Sequence, residues 1–530
     1  MHRPSSVFAR RTLADGRTRT AAFGLLFAAM GFANALGYRH SYPTLEGRLE
    51  LARTFGANKA VQLFYGRPYD LLTVGGYTAW RLAGFGCLLA AAWAVHATIR
   101  ALRAEEDVGR QELVLAAGVS RLGAYGAALA AITAAGLVLW AATFVSLVSS
   151  RLPPGGSAFL ALATVSPAAV FTGVGVLASQ LASSRRVALQ LSYAVLGASF
   201  LLRVVADIAG GVGWLQWVTP LGWTEQLRPF SHPHPEALIL PAVATVALLA
   251  LGGRIALGRD VGVGLLRPRD SSPPRTYLLS SPVAQALRDE LGNLGGWVAG
   301  IGTFALIVGI LSTAFTPASI SASLRRELRK IGGVSIVTPS GAIGFYFVFF
   351  VLVISLFACS QIASARREES EQRLETLLAV SVGRTRWLAG RLLLACAGAG
   401  GLALVAAVLA WIGAAAEHAG VGFPRMIEAG ANCLPATFLF LGAGALIYGI
   451  APRATSEGAY GLVVLAFVWQ LLGSLLGAPK WLLDATPFAH VAAVPAQPFR
   501  LTAAALMIAI GVAASTCGLA AFRRRDLTAS

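Results

Sequence analysis

The sequence predicts an all-α polytopic membrane protein with about 12 transmembrane helices, arranged as two parallel six-helix repeats. Three observations carry this prediction. Of the 530 residues, 56% are hydrophobic and only 13% are charged, so lipid must be the solvent for most of the chain. The apolar residues fall into long runs, which must be helical because backbone polar groups in lipid need partners within the protein. The second half of the chain then repeats the features of the first half in the same order.

The predicted spans form two sets of six, and each run is long enough to cross the hydrocarbon core. The first set covers residues 20–38, 71–99, 123–149, 158–181, 187–208 and 237–253, and the second covers 296–315, 342–363, 387–414, 430–451, 457–477 and 499–520. One series of connectors holds about 26 Lys and Arg residues and the other about 13, so the richer series is assigned to the cytoplasm. Both termini are therefore expected to be cytoplasmic. The bias toward Arg, Ala and Gly is typical of a GC-rich bacterium, so we expect a multi-pass protein of a bacterial cytoplasmic (plasma) membrane.

These spans divide the chain into two transmembrane halves joined by a polar linker. Residues 1–253 are predicted as the first half with an N-terminal interfacial helix, residues 254–294 as a cytoplasmic linker with a second interfacial helix, and residues 295–530 as the second half. In each half a long outer segment follows the first span, and an outer stretch with Thr-Pro and aromatic residues follows the fifth. Both halves start on the same side, which makes them parallel repeats.

A charged island lies between the second and third spans of each half, and its sequence is nearly the same twice. The stretch EEDVGRQELVLAAGVSR begins at Glu105, EESEQRLETLLAVSVGR begins at Glu368, and the two match without a gap at eight positions. A single island of this kind could be the solvated surface of a loop helix. Two copies at equivalent places indicate that the protein engages two identical soluble subunits, one for each half.

The islands, the six-span halves and the outer Thr-Pro stretches together resemble the permease subunits of type-two ABC exporters. The fused double half is similar to the bacterial multidrug and polyketide-antibiotic exporter permeases, and the resemblance covers essentially the whole chain. In that family the helix of the island couples to the ATPase. The resemblance therefore implies ATPase-coupling roles for Glu105, Glu106, Arg110, Glu112, Arg121, Glu368, Glu369, Arg373, Glu375 and Arg384. It also implies interfacial elbow helices before the first span of each half, and export by alternating access.

The chain itself has no predicted ATPase site. A phosphate-binding loop needs a Lys after a Gly-rich turn, and none of Lys59, Lys330 and Lys480 follows such a turn. We therefore expect a transporter permease and not an enzyme, with no cofactor and no metal bound to this chain. ATP and Mg are expected on a separate ABC-type ATPase subunit, in two copies because the island occurs twice.

A proton- or ion-coupled secondary transporter is the alternative function. Such carriers place ionisable residues deep in a span, whereas Asp207 lies near the end of the fifth span, where an ion pair with Arg203 explains it. A metal enzyme built on the His-x-His-x-Glu stretch from His232 to Glu236 is disfavoured, because two prolines interrupt it. The positive charge is spread over short connectors, so nucleic acid is not expected as a partner.

The resemblance places the substrate path between the halves, lined by the second and fifth spans. The candidate lining residues are the aromatic side chains Trp80, Phe85, Tyr193, Phe200, Phe345, Tyr346, Phe349, Tyr460, Phe467 and Trp469. Packing and interface anchoring are the alternative roles for these side chains. An apolar, aromatic path would suit a small hydrophobic or amphiphilic substrate.

Overall fold

The computed structural model divides the chain into two compact units, residues 1–272 and 273–530. The residues that it describes are 4–56, 59–208, 211–266, 281–314, 338–379, 383–472 and 479–527. Within these ranges the backbone forms α-helices joined by turns and short 3-10 segments, without any β-strand. Eleven helical segments of the described chain are long and apolar enough to cross a membrane. This confirms the prediction of an all-α polytopic membrane fold.

In the first unit, each of the six predicted spans corresponds to a long helix. The helices are α1 (Pro4–Ser41), α2 (Leu45–Gly56), α3 (Lys59–Tyr65), α4 (Val74–Ala101), α5 (Arg103–Asp107), α6 (Arg110–Ala116), α7 (Arg121–Ser149), α8 (Pro154–Leu181), α9 (Arg185–Ile208), α10 (Pro220–Gln226) and α11 (Ile239–Gly258). Thr73 and Ser120 precede α4 and α7, and their side chains accept hydrogen bonds from the backbone N–H of Gly76 and Gly123, both at 3.0 Å. These caps satisfy otherwise unpaired donors at the start of the two helices that flank the island.

The second unit repeats this arrangement with a similar series of helices. They are α12 (Pro282–Leu311), α13 (Pro339–Ser370), α14 (Arg373–Ala379), α15 (Arg384–Ala416), α16 (Phe423–Ala431), α17 (Leu434–Ile450), α18 (Thr455–Leu472), α19 (Lys480–Leu483), α20 (Pro487–His490) and α21 (Leu501–Arg524). Thr338 caps α13 as Thr73 caps α4, by accepting a hydrogen bond from the N–H of Gly341 at 3.1 Å. The second span of each unit thus begins in the same way.

Five of the six spans predicted in the second half are confirmed, in α12, α13, α15, the pair α16 and α17, and α21. The remaining span was expected at residues 457–477. Its first part forms α18, and residues 473–477 lie outside the described residues. Much of the predicted outer segment 316–341 and part of the predicted linker 254–294 also lie outside them.

The amphipathic segments before the first span of each half do not form separate helices. The 38 residues of α1 run unbroken through the basic segment into the span, and α12 does the same in the second unit. At 1.5 Å per residue α1 is about 57 Å long, about twice the hydrocarbon thickness, so its first turns extend beyond the apolar layer. After Pro4 and Pro282, which begin the helices, neither segment contains a proline that would force a bend. The expected interfacial elements are therefore the first turns of α1 and α12.

Small residues bring neighbouring helices into close contact within each unit. A Cβ atom at Gly511 of α21 would lie 2.5 Å from the carbonyl oxygen of Phe438 in α17. At Gly518, seven residues later, a Cβ would lie 2.5 Å from the carbonyl oxygen of Ala445. Side-chain atoms cannot approach a backbone oxygen so closely, so these two helices pack at this distance only because both positions are glycine.

Both islands turn through a residue with a positive φ. Gly109 has a φ of 69°, and Gln372, which aligns with it in the second island, has a φ of 61°. Glycine adopts this left-handed conformation freely, whereas a residue with a Cβ atom incurs about 1–2 kcal/mol of strain. The two islands therefore share the same backbone conformation at this turn, although their sequences differ there.

Replacing Gln372 by glycine is expected to raise the free energy of unfolding by about 0.5–1 kcal/mol, because the relief of strain exceeds the added entropy of an unfolded glycine. The Gln372 side chain is exposed, so the substitution removes little packing. Reversible unfolding in mixed micelles measures the change. The matched control is Gly109→Gln, which should be destabilising by a similar amount, since nothing lies within 4 Å of a Cβ at Gly109. A stability loss in Gln372→Gly would contradict the interpretation.

Candidate functional site

The islands are the candidate functional sites because they are the polar elements that recur in both units. In the first unit the chain leaves α4, forms the short helices α5 and α6, and enters α7 at Arg121. In the second unit α13 continues to Ser370, and α14 then leads to α15 at Arg384. Each island is thus a short helical connection between two long helices.

Glu106 of the first island is held by two arginines and is not a surface residue. Nη2 of Arg259, directly after α11, donates hydrogen bonds to Glu106 Oε1 at 2.5 Å and to Oε2 at 2.7 Å. Nη1 of Arg103 donates to Oε2 at 2.9 Å. The side chains of Glu106, Arg103 and Arg259 are only 5%, 1% and 9% exposed. We call Arg103, Glu106 and Arg259 the first clasp, since they join the island to the end of the last span of the unit.

The second unit has the same arrangement at Glu369, whose side chain is 1% exposed. Arg525, directly after α21, donates from Nη1 to Glu369 Oε1 at 2.6 Å and from Nη2 to Oε2 at 2.7 Å. Nη1 of Arg366 lies 3.5 Å from Oε2. Arg366, Glu369 and Arg525 form the second clasp. Its paired hydrogen bonds are the geometry in which Arg binds a carboxylate most strongly.

Arg121 and Arg384 add an equivalent contact to each clasp. Nη1 of Arg121 donates to the backbone carbonyl of Arg259 at 2.9 Å, and Nη1 of Arg384 donates to the backbone carbonyl of Arg525, also at 2.9 Å. Each of these arginines is the first residue of the helix after the island. The end of the last span is therefore bonded to the chain on both sides of the island.

Four clasp residues were missed by the sequence reasoning: Arg103, Arg259, Arg366 and Arg525. The sequence did contain a signal for them. An Arg-Asp dipeptide follows the last span of both halves, and an Arg stands three residues before both buried glutamates. These residues lie outside the aligned 17-residue stretches, and a repeated dipeptide is too short to single out by itself.

The other predicted island residues lie nearer the surface. Glu112 and Glu375 are exposed, and Arg110 and Arg373 have 48% and 72% of their side chains exposed. Arg110 lies 3.7 Å from Glu105 across the turn. In the second island Glu368 forms a close ion pair with Arg391 of α15, and both side chains are mostly buried. The structure thus separates the ten predicted residues into exposed positions and positions that hold the island in place.

The two exposed island tips differ in polarity. In the first island Val108 and Leu113 are 58% and 71% exposed. The aligned positions of the second island are Glu371 and Thr376, which are also exposed. Exposed apolar side chains that are surrounded by charges are a common property of protein interfaces. The first tip therefore offers apolar contact area, and the second offers polar groups.

A buried charged cluster lies at the opposite end of the first unit, at the last turns of α9. Arg203 Nη1 donates to Glu225 Oε1 at 3.1 Å, and Arg203 Nε lies 3.8 Å from Asp207 Oδ2. Nε2 of Gln216 donates to Asp207 Oδ1 at 2.6 Å, and Nε of Arg67 lies 3.9 Å from the same oxygen. The predicted pair of Arg203 and Asp207 is present, and it forms part of a larger network with a second acid.

Burial dominates the electrostatics of Glu225. The loss of solvent raises the pKa of this carboxyl well above its ordinary value, and the nearby Asp207 carboxylate raises it further. Arg203 and Arg67 act in the opposite direction. The corresponding contact in the second unit is uncharged, because Thr486 donates to the side-chain oxygen of Gln470 at 2.9 Å. Within the part of the second unit that the structure describes, this contact therefore involves no charged side chain.

The predicted path residues have different surroundings. Trp80, Tyr346 and Phe467 are buried, and Trp80 donates from Nε1 to the carbonyl oxygen of Gly66 at 2.9 Å. Trp469 donates in the same way to the carbonyl oxygen of Leu482 at 2.9 Å. The more exposed rings are Phe85, Tyr193 and Phe345, and the partly buried ones are Phe200, Phe349 and Tyr460. Packing therefore accounts for the buried rings, and the lining role stays a prediction for the others.

Comparison with known proteins gives two findings. The family model described as "Multidrug efflux system permease Rv1217c, C-terminal domain" matches residues 50–254 and 279–523. The multidrug efflux system permease protein Rv1217c of Mycobacterium tuberculosis (strain ATCC 25618 / H37Rv) is 32% identical to this chain over 489 residues. That alignment covers 92% of this chain and 88% of the relative. The two segments matched by the family model include both islands, and they end shortly before Arg259 and Arg525.

Proposed function

The chain belongs to the family of the multidrug efflux system permease Rv1217c, and from that premise we propose that it is the membrane-spanning permease of an ATP-driven ABC exporter. In this proposal separate ATPase subunits supply the energy, since the chain has no Lys after a Gly-rich phosphate-binding turn. The protein is a multi-pass membrane transporter of the permease class. We further propose that it lies in the bacterial plasma membrane with both termini and both islands on the cytoplasmic side.

The observation that carries this proposal is the recurrence of one polar device in both units. Each unit presents an exposed island tip, and buried arginines hold each island from behind. An exposed tip that buried contacts hold in place can serve as a rigid docking surface. One tip per unit fits two ATPase subunits, each with bound ATP and Mg.

We assign the ATPase contact to the exposed island residues. On the first tip these are Val108, Arg110, Glu112 and Leu113, and on the second tip Glu371, Arg373, Glu375 and Thr376. The carboxylates of Glu106 and Glu369 are already bonded to arginines within the chain, so we do not assign them to the ATPase contact. Their role in coupling is to hold the islands in place. The surface of the partner is therefore expected to place apolar side chains against Leu113.

The proposed transport cycle is alternating access with export of a small hydrophobic or amphiphilic compound. Closure of the ATPase pair on ATP would push on the islands and rearrange the helices attached to them. The exposed rings Phe85, Tyr193 and Phe345 are the better candidates for the substrate path. Their apolar faces suit a substrate of that chemistry.

The proposal is tested by purifying the tagged chain from its native membranes in mild detergent and quantifying any bound ATPase. Two ATPase subunits per permease are expected, and Leu113→Glu should lower the affinity by roughly tenfold or more, as loss of an interface hot spot does. The matched control is Glu417→Lys, an exposed charge change after the far end of α15, which should leave the ratio unchanged. A permease that purifies without any ATPase would contradict the proposal.

The buried carboxyl groups of Asp207 and Glu225 favour a second candidate function, a proton-coupled carrier. Such a carrier would need these groups to gain and lose protons during transport. The two arginines beside them balance both charges, which supports a structural role instead. Efflux of ethidium from cells decides between the two. A protonophore at constant ATP abolishes proton-coupled efflux, whereas ATP depletion at a constant gradient abolishes ATP-driven efflux.

A further inference from the structure

We infer that the two clasps transmit the movement of each island to the last span of its own unit, α11 in the first and α21 in the second. This inference rests on the proposed function, because the movement is the one that a docked ATPase would cause. It assigns positioning roles to Arg103, Arg259, Arg366 and Arg525. It also identifies the last spans as helices that follow the nucleotide state of the ATPase.

The geometry of the clasps supports transmission more than simple anchoring at a surface. Both oxygens of Glu369 are held by the two terminal nitrogens of Arg525, so the pair resists both sliding and rotation. The same Arg525 donates to the backbone carbonyl of Asp526 at 3.2 Å and lies 5.0 Å from the ring centre of Tyr448 in α17. The arginine is therefore fixed at its own end as well as at the island.

The first clasp is fixed in the same way by different residues. Nε of Arg259 donates to Oε1 of Gln180 in α8 at 2.7 Å, and its Nη1 donates to the backbone carbonyl of Asp260 at 3.2 Å. Nη2 of Arg103 donates to the carbonyl oxygens of Ser183 at 2.6 Å and Gly262 at 2.9 Å. An island that moved without the last span would have to break the hydrogen bonds of Glu106 with Arg259 and of Arg103 with the carbonyl oxygen of Gly262. Movement of the two together breaks none of the contacts between Glu106 and Arg259.

The clasp occurs in both units although the residues around it differ, and this is a second observation in support of the inference. The terminal arginine of each clasp contacts a different neighbouring residue, Gln180 in the first unit and Tyr448 in the second, and the island tips also differ. In both units, nevertheless, the terminal arginine binds both carboxylate oxygens of the island glutamate, through one nitrogen in Arg259 and through two in Arg525. The carbonyl contact from the helix after the island is the same in both units. A link needed only for stability could be replaced by apolar packing in one of the two units.

The test uses a reporter cysteine next to each clasp arginine in the complex of the full chain with its copurified ATPase. Leu257→Cys and Arg523→Cys each stand two residues before a clasp arginine and are exposed, and the native cysteines are replaced by serine or alanine. The rate of maleimide labelling is measured without nucleotide and after trapping with ATP and vanadate. Arg259→Lys and Arg525→Lys keep the positive charge but lose the guanidinium group. In Arg525 this group makes the paired hydrogen bonds to Glu369, and in Arg259 it binds Glu106 and Gln180 at once.

We expect both reporters to change their labelling rate on trapping in the parent protein. Arg525→Lys should remove the response at position 523 and leave the response at position 257, and Arg259→Lys should do the reverse. Bound ATPase and ATP hydrolysis should persist in both variants, because the exposed tips are unchanged. A purely structural role would lower the stability of the complex without such a half-specific loss.

Three outcomes overturn the inference. The first is that the reporters respond equally in the parent and in both lysine variants. The second is that neither reporter responds in the parent although ATP is hydrolysed, since the last spans then do not follow the ATPase. The third is that either lysine variant removes both responses, since the clasps then do not act within their own units. Absence of a bound ATPase would instead contradict the proposed function itself.

Discussion

Replacing Glu106 by alanine is expected to lower the free energy of unfolding by about 3–5 kcal/mol, the cost of removing one partner from a buried ion pair. The variant leaves Arg103 and Arg259 with little access to water and without their shared carboxylate. Reversible unfolding in mixed micelles gives the free energy. The matched control is Glu112→Ala in the same island, where the glutamate is exposed and a change within about 0.5 kcal/mol is expected.

The equivalent variant of the second clasp, Glu369→Ala, should cost less than Glu106→Ala. Arg366 and Arg525 retain 10% and 14% exposure, so part of the uncompensated charge reaches water. Equal stability of Glu106→Ala and Glu112→Ala would show that the buried pair of the first clasp contributes nothing beyond a surface charge. This measurement also sets the reference for the lysine variants, whose milder change is chosen so that the protein stays folded.

Replacing Arg203 by methionine is expected to lower the free energy of unfolding at neutral pH by about as much as Glu106→Ala does. On acidification the loss should become smaller. The variant removes the cation between two buried acids, Glu225 and Asp207, and breaking such a pair costs about 3–5 kcal/mol. The methionine keeps much of the apolar volume of the arginine stem. The matched control is Arg67→Met in the same cluster, whose side chain is 41% exposed and which should cost much less.

The pH dependence follows from the raised pKa of Glu225. Burial makes the folded protein bind this proton more tightly than the unfolded chain does, so the stabilising effect of protonation is fully present below the pKa of an unfolded glutamate. It is lost as the pH rises through the higher pKa of the folded state. Removal of the Arg203 charge raises the pKa of Glu225 further, so the stabilising effect of its protonation is lost at a higher pH. Unfolding measured between acid and neutral pH tests this, and Glu225→Gln should weaken the dependence. Stability that falls on acidification would contradict it.

The charged cluster makes the two units unequal at the end opposite the islands. In the first unit Arg203 and its neighbours tie α9 to α10 and to the segment before α4. In the second unit a neutral contact between Thr486 and Gln470 takes that place. Local sequence suggested only the pair of Arg203 and Asp207, since Glu225 and Arg67 approach it through the folding of separate segments. Charged groups therefore hold this end of the first unit together, and the contact described at the equivalent place in the second unit is neutral.

Hydropathy predicted the membrane class and the spans, eleven of which are confirmed, because a helix in lipid must be a long apolar run and its sequence shows it directly. The duplication was predicted from the repeated island and from the matching order of the segments around it. The interfacial segments show the limit of that reasoning. The family resemblance implied interfacial helices before each first span, but α1 and α12 each run unbroken from the amphipathic segment into the span. These helices are continuous because no proline interrupts them, although the polarity of the sequence changes along their length.

The positions of the polar islands and their duplication could be predicted from the sequence. Which island charges face solvent and which are buried depends on the tertiary fold. Glu106 is 153 residues from Arg259 along the chain and Glu369 is 156 residues from Arg525, so no local pattern connects them. A glutamate in a charged stretch looks like solvated surface until a distant arginine is packed against it. The physical reason is that ion pairing depends on distance in space, and the return of the last span to the island creates that proximity.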